Sequence, residues 1–464
     1  MATLREKIGY GLGDMSSSMF WKIFSYYLPF FYANVFGLSL NQTATLFLVT
    51  RIWDAVSDPM MGIVADRTRT RWGKYRPYLL GFAVPFALCG ILLFTTPDWS
   101  SQGKLIWAYV TYLLMMTVYT GINVPYGAML GVITTDSAEK TVFSSFRMFF
   151  AYGGSFVALA LWEPLCRFFE RTWNAPATAS WQGAMIVVAV ACFVLFLLCF
   201  LLTREKVVTQ SEVSVGNDLG GLLKNRPWWI LIGAALSVNL FSTVRGSTVA
   251  FYFADIVGEG TNLTLFSFTF LFFAGLFLSV GEIANMAGVA LTVPIARTLG
   301  KKSTFIAVYA LLIVFSIAFF YLPATETGFW WMLLLQIIIS IGTGIVSPLV
   351  WSMYADVSDY SELKYRTAST GLIFSSASMA QKFGSAFGGS GALWLLGAFG
   401  YITTTGDAPV VQSAQALDGL RYLMSYVPAL IAALGIVAVW FYPLTTRRMQ
   451  EIDAQLQERR SNQR

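Results

Sequence analysis

Two aspartates four positions apart, Asp54 and Asp58, stand in the stretch RIWDAVSDP (Arg51–Pro59), directly after the apolar run QTATLFLV. Residues four apart share one face of a helix, so the carboxylates stack a turn apart, with Arg51 on the preceding turn. Pro59 has no N–H for the carbonyl of Ala55, and Ser57 adds a hydroxyl nearby. Two carboxylates, a hydroxyl and a freed carbonyl form an oxygen-lined pocket suited to a small hard cation. A proton can take the same place, because like charges this close oppose one another. Each charge costs at least about 2.5–3.5 kcal/mol at a bilayer centre, so this cluster needs compensation. An Arg51–Asp pair that merely holds helices together leaves the second aspartate unexplained.

The chain around them is oily: 464 residues, 56% hydrophobic, 16% aromatic and 12% charged, with mean hydropathy +0.61. A soluble domain carries about 25% charged residues, so this composition predicts an all-α polytopic membrane protein. A span needs about 20 mainly apolar residues. Twelve transmembrane helices are expected, at 16–36, 42–65, 77–96, 104–133, 144–169, 181–203, 228–257, 264–295, 303–322, 328–354, 368–399 and 420–443. Residues 204–226 form the longest polar interval and read as a cytoplasmic linker between two six-helix bundles, 1–203 and 227–444, with 445–464 a cytoplasmic basic tail.

Most of the 31 Lys and Arg fall in loops on the side of the termini, whereas the opposite loops hold Lys104, Arg167, Arg171 and Arg421. This places both termini in the cytoplasm and explains the net charge of +6 without a nucleic-acid partner. The charged start MATLREKIGY is not followed by a cleavable signal sequence. Cys89, Cys166, Cys192 and Cys199 read as packing residues, and the absence of histidine leaves proton chemistry to carboxylates.

The two halves repeat a pattern. Asp136 and Glu139 follow Pro125 by 11 and 14 residues, and Asp359 and Glu362 follow Pro348 by the same intervals. Gly73-Lys74 and Gly300-Lys301 occupy equivalent loops after the second and eighth spans. Two parallel six-helix halves with substrate between them is the major-facilitator architecture. The loop DRTRTRWGKYRP (Asp66–Pro77) is a positive-inside anchor. Its Asp66, Arg67, Arg71, Lys74 and Arg76, with Arg51, Asp136, Asp356 and Asp359, are candidates for charge contacts that break and re-form as the halves rock.

The motifs GYGLGD, RIWDAVSDPMMG, RWGKYRP, NVPYGAML, ADVSDYSE and QKFGSAF together resemble the glycoside–pentoside–hexuronide:cation symporter family, from the first span to the eleventh. The resemblance implies import of a sugar or glycoside coupled to Na⁺, Li⁺ or H⁺. It assigns Asp54 and Asp58 to the cation, with Thr120 as a hydroxyl ligand on the fourth span. Ser57 stands where the family pattern has an asparagine ligand, so a proton fits at least as well as Na⁺. Arg147 and Lys382 match basic residues near the sugar and between the halves. Two acids that grip a neutral sugar are replaced by Ser18 and Asn123, and a stacking tryptophan by Gly127. Trp351 lies about one turn from the position of the other expected tryptophan.

These departures favour an acidic substrate. Lys22 follows Ser18 by one turn, and the seventh span adds Arg245. Lys22, Arg51, Arg147, Arg245 and Lys382 lie within spans, against the clear acids Asp54, Asp58, Asp255 and Glu282. With two acids committed to a cation, the cavity should be positive and suit a uronide or sulfonated sugar. The alternative is a neutral glycoside, with Lys22 snorkelling or paired to an acid such as Glu282. Ser16, Ser17, Ser18, Lys22 and Ser25 along the first span favour a hydrated sugar over a lipid. A rival from another class is an intramembrane transferase holding Mg²⁺ on paired aspartates, but Asp54 and Asp58 lie well inside a span, away from the headgroups. The expectation is a monomeric secondary transporter in a bacterial cytoplasmic (inner) membrane, not an enzyme. It works by alternating access with no cofactor beyond its coupling H⁺ or Na⁺.

Overall fold

A computed structural model of the chain describes residues 3–134, 137–206, 223–258, 261–265, 268–365, 370–403 and 410–461. Helix α1 (Leu4–Tyr26) begins with a capping box in which the Thr3 hydroxyl accepts from the Glu6 N–H and the Glu6 carboxylate from the Thr3 N–H. A short turn, Leu28–Phe30, and a π-helical stretch, Phe31–Phe36, prolong it. There follow α2 (Leu40–Arg67), α3 (Arg76–Leu93), α4 (Ser101–Ile133), α5 (Ser137–Trp173) and α6 (Ala177–Leu202). After the linker come α7 (Arg226–Tyr252), β1 (Thr261–Leu265), β2 (Phe268–Phe272), α8 (Ala274–Leu299), α9 (Lys301–Phe320), α10 (Glu326–Tyr365) and α11 (Thr370–Ala398). The chain ends in α12 (Ala414–Met424), α13 (Tyr426–Trp440) and α14 (Thr446–Ser461).

Nine stretches among the described residues, α3 to α10 and α12 with α13, are long and apolar enough to cross a membrane. α1, α2 and α11 have the length but not the mean hydropathy, being rich in Ser, Gly, Thr, Asn and Gln besides carrying Asp14 and Lys22, the Arg51–Asp58 cluster, and Lys382. The expected count of twelve rests on those three polar helices.

Two features differ from the sequence reading. Residues 264–265 and 268–273 do not belong to the eighth helix; β1 and β2 pair antiparallel there, with Thr261 opposite Phe272 and Leu265 opposite Phe268. Asn262–Leu265 alternates polar and apolar residues, and FTFLF is built of aromatic and β-branched residues with one leucine, a composition that suits a strand. The last span is broken: α12 and α13 meet at Ser425, ahead of Pro428. Proline has no N–H to offer the carbonyl of Met424, and the guanidinium of Arg245 donates to that carbonyl instead.

The chain forms two compact units. The first holds Met1–Ser211, Val249–Glu282 and Leu393–Ala416. In it α1 packs on α5 and α6, α3 on α4 and α6, and α2 on α4. All four cysteines are buried and free within it. The second unit holds Glu212–Thr248, Ile283–Ala392 and Leu417–Arg464. There α9 packs on α10 and α13 around a core that includes Leu231, Phe305, Tyr309, Met353 and Val357.

The two Gly-Lys turns are physically alike. Gly73 (φ +115°) and Gly300 (φ +80°) both take conformations that side chains disfavour. Each also receives the segment that leaves a helix of its own compact unit, α6 for Gly73 and α13 for Gly300. A Cβ on Gly73 would lie 2.5 Å from the Glu205 carboxylate, and one on Gly300 would lie 2.6 Å from the Thr446 hydroxyl. A base just beyond each glycine caps that helix, whose last carbonyls have no intrahelical donors. Arg76 donates to the Phe200 carbonyl (2.7 Å) at the end of α6, and Lys302 to those of Trp440 (2.7 Å) and Tyr442 (2.9 Å) after α13.

Candidate transport site

The paired aspartates meet α4 at a single hydroxyl. Thr120 Oγ1 lies 3.1 Å from Asp54 Oδ1 and 3.0 Å from Asp58 Oδ1, and Ser57 donates to Thr120 (3.3 Å) or to the Asp54 carbonyl (3.2 Å). A threonine hydroxyl carries one hydrogen and can satisfy one carboxylate at a time. A proton or a small metal cation placed among these oxygens would be shared by both carboxylates. Asp54 is 1% exposed, so water does little to screen it. Arg51, also buried, turns its guanidinium to the ring of Trp21 on α1, 4.2 Å from the centroid. Trp53 fixes the same helix pair by donating to Thr117 (2.8 Å).

A second set lies along α1. Asp14, Ser18, Trp21, Lys22, Ser25 and Tyr26 are half-exposed, whereas Gly13, Ser16, Ser17, Met19, Phe20, Ile23 and Phe24 are buried. The half-exposed positions fall at intervals of three and four, so they make one face. Leu12 and Met15 are half-exposed as well, yet the face is mainly polar and aromatic, whereas a face toward lipid would be apolar.

Two ion pairs stand on that face. Arg147 Nε of α5 is 2.9 Å from Asp14 Oδ2, and Lys22 Nζ bonds Glu282 Oε1 of α8 and approaches the Tyr26 hydroxyl (3.3 Å). Eight residues separate Asp14 from Lys22, which is about 12 Å along a helix, with Ser18 midway. Lys22 keeps 21% of its side-chain surface open and Arg147 keeps 37%, against 5% for Glu282 and 15% for Asp14. Glu282 Oε2 is buried with no hydrogen-bond partner among the described residues.

The other expected site residues are placed as follows. Asn123 turns back to its own helix, donating to the Tyr119 carbonyl (3.1 Å). In the second unit Arg245 is buried, with its guanidinium on the Met424 carbonyl, on Gln336 Oε1 (3.0 Å) and over the Phe319 ring. Trp351 is half-buried against that unit's core, its ring 6.3 Å from Tyr354, and Lys382 is half-buried on α11.

Of the expected gating groups, Arg71 stacks on Trp72, while Arg67 is exposed. The N–H groups of Lys74, Tyr75 and Arg76 all donate to the Glu205 carboxylate, at 2.7, 2.7 and 2.8 Å. Three successive N–H groups at the start of a helix make a natural anion seat. Asp356 pairs with Lys301 through both oxygens (2.6 and 2.8 Å), and Asp359 is half-buried one turn along. Asp136 and the side chain of Asp66 lie outside the described residues.

Three acids in these contacts were not assigned roles by the sequence. Asp14 lies just before the first span as drawn from residue 16, although its spacing of four to Ser18 and eight to Lys22 was the available signal. Glu282 stood only as a conceivable partner of Lys22. Glu205 sits between Arg204 and Lys206 in a polar linker, where nothing local marks it.

Residues 9–446 match the family described as MFS/sugar transport protein. The chain belongs to that family. It is a multi-pass membrane transporter, not an enzyme, and the intramembrane transferase reading is overturned. It is 35% identical to the putative glycoside/cation symporter YagG of Escherichia coli K12, over 99% of this chain and 96% of that one. It is 32% identical to the isoprimeverose transporter of Lactiplantibacillus pentosus (95% and 89%), and 31% to the glucuronide carrier protein homolog of Escherichia coli K12 (99% and 96%). Among solved structures, a bacterial homologue of the human peptide transporters PepT1 and PepT2 superposes with TM-score 0.71 at 14% identity, covering 97% of this chain and 100% of that one. At that identity the likeness speaks for the fold alone.

Proposed function

We propose that this transporter imports a neutral glycoside together with H⁺ or Na⁺, the cation bound by Asp54, Asp58, Ser57 and Thr120. The observation that carries the coupling is the convergence of two carboxylates and two hydroxyls, Asp54, Asp58, Ser57 and Thr120, within hydrogen-bond reach of one another where α2 packs on α4. The sugar lies along the α1 face about Ser18, between the Asp14–Arg147 and Lys22–Glu282 pairs, with Asn123 as a further contact. Alternating access of two halves, twelve crossings, a monomer and cytoplasmic termini in a bacterial cytoplasmic membrane complete the reading. Cation and sugar each raise the other's affinity by one shared factor.

Neutrality of the substrate rests on charge balance. The two bases of the α1 face each have an acid, and Arg245 is engaged with a helix break. Little unpaired positive charge is left to attract a carboxylate. A second reading, an acidic glycoside, draws on the glucuronide carrier name of one relative and on the exposed surface that Lys22 and Arg147 retain. Uptake into membrane vesicles under an imposed Na⁺ or pH gradient, across neutral and acidic glycosides, tests both. Accumulation of neutral glycosides supports the proposal. Accumulation of acidic ones alone supports the second reading, and no gradient-driven uptake of either rejects symport.

A further inference from the structure

We infer that Glu282, on α8, sets the charge selectivity of the sugar site; this rests on the proposed glycoside transport and names the residue that decides its substrate class. Glu282 is the most enclosed member of the two ion pairs, yet one of its carboxylate oxygens has no partner among the described residues. A buried carboxylate oxygen without a donor is costly, by about 1–3 kcal/mol or more, and structures retain such atoms where a ligand completes them. Its other oxygen is held by Lys22, whose remaining surface opens on the polar α1 face. Tyr26 flanks the lysine, so both ends of the pair adjoin groups able to bond hydroxyls.

The pair therefore acts on a sugar in two ways. The unpartnered oxygen, enclosed in this conformation, accepts a hydrogen bond from a sugar hydroxyl once the substrate enters, a charge-assisted contact of the kind that Ser18 and Asn123 cannot make. The same negative charge neutralises Lys22 and repels a substrate carboxylate. Removing only the charge of Glu282 releases Lys22, and the face then favours an acid.

The test uses two probes that differ only at C6, p-nitrophenyl glucoside and p-nitrophenyl glucuronide. Each competes against uptake of a transported glycoside by cells or vesicles carrying the full chain. In the parent the glucoside competes better. In Glu282→Gln the ratio of half-inhibitory concentrations shifts about tenfold or more toward the glucuronide. In the uncharged double variant Lys22→Gln/Glu282→Gln the ratio returns toward the parent's, because the released base is gone.

An unchanged ratio, or a uniform loss for both probes with no return in the double variant, overturns the inference. Should Glu282→Gln fail to insert, Glu282→Asp keeps the charge and withdraws the oxygen. The inference then requires weaker glucoside competition with the glucuronide still excluded, and undiminished glucoside competition overturns it. Absence of any glycoside uptake by the parent is a different result, and rejects the transport reading itself.

Discussion

Arg245 donates to the main-chain carbonyl of Met424, the acceptor that Pro428, four residues further on, has no N–H to reach. An arginine inside a span reads from sequence as a substrate ligand; here its reach is taken up at a broken helix and by Gln336. Replacing Arg245 by Ala strands the buried carbonyl of Met424 and removes the donor to the half-buried amide of Gln336. It should lower stability by about 2–3 kcal/mol. A thermal melt of the detergent-solubilised protein checks this. A normal melting temperature with lost sugar affinity would return Arg245 to the binding site.

Gly73 and Glu205 form a close contact that tolerates no side chain. Gly73→Ala forces a residue into a left-handed turn, at about 1–2 kcal/mol, and drives its Cβ into the carboxylate that three N–H groups hold. Glu205→Gln keeps the shape and loses the charge. Both should speed proteolytic cleavage in the segment after α6, with Gly73→Ala the more severe. Equal protease resistance in parent and variants would deny the contact a structural role.

The Asp14–Arg147 pair should show non-additive mutations. Arg147→Gln leaves Asp14 enclosed without its cation, whereas Asp14→Asn/Arg147→Gln removes both charges. The double variant should therefore transport better than Arg147→Gln alone, with a coupling energy of about 1 kcal/mol or more. Simple addition of the two single effects in an uptake assay would contradict the pairing.

Thr120→Val removes the hydroxyl between the carboxylates while keeping the side chain's shape. The cation concentration that half-activates uptake should rise about tenfold, whereas Thr120→Ser should stay near the parent. Equal activation curves for the Val and parent proteins would remove Thr120 from the cation set.

How much of this was readable follows the range of each interaction. The Asp54–Asp58 pair is a local fact, four residues on one helix, and the sequence displays it fully. Thr120 reaches the pair only through the packing of α2 on α4, so a family resemblance was needed to assign it. Asp14 was overlooked because a hydropathy boundary was drawn two residues late. The β1–β2 pair hides inside a run whose hydropathy alone looks helical, although its aromatic and β-branched residues favour a strand. The glycine turns were visible as a repeat, but their cause is tertiary: each glycine makes room for the segment leaving a distant helix of its own compact unit.

The central claim is that Asp54 and Asp58 exist to be occupied and vacated by a positive ion in every cycle. The most direct measurement is accumulation of a transported glycoside by vesicles under a Na⁺ or pH gradient, with the protein carrying Asp54→Asn/Asp58→Asn. The account predicts that the gradient no longer drives accumulation, although the protein still inserts. Accumulation at the parent level would contradict it.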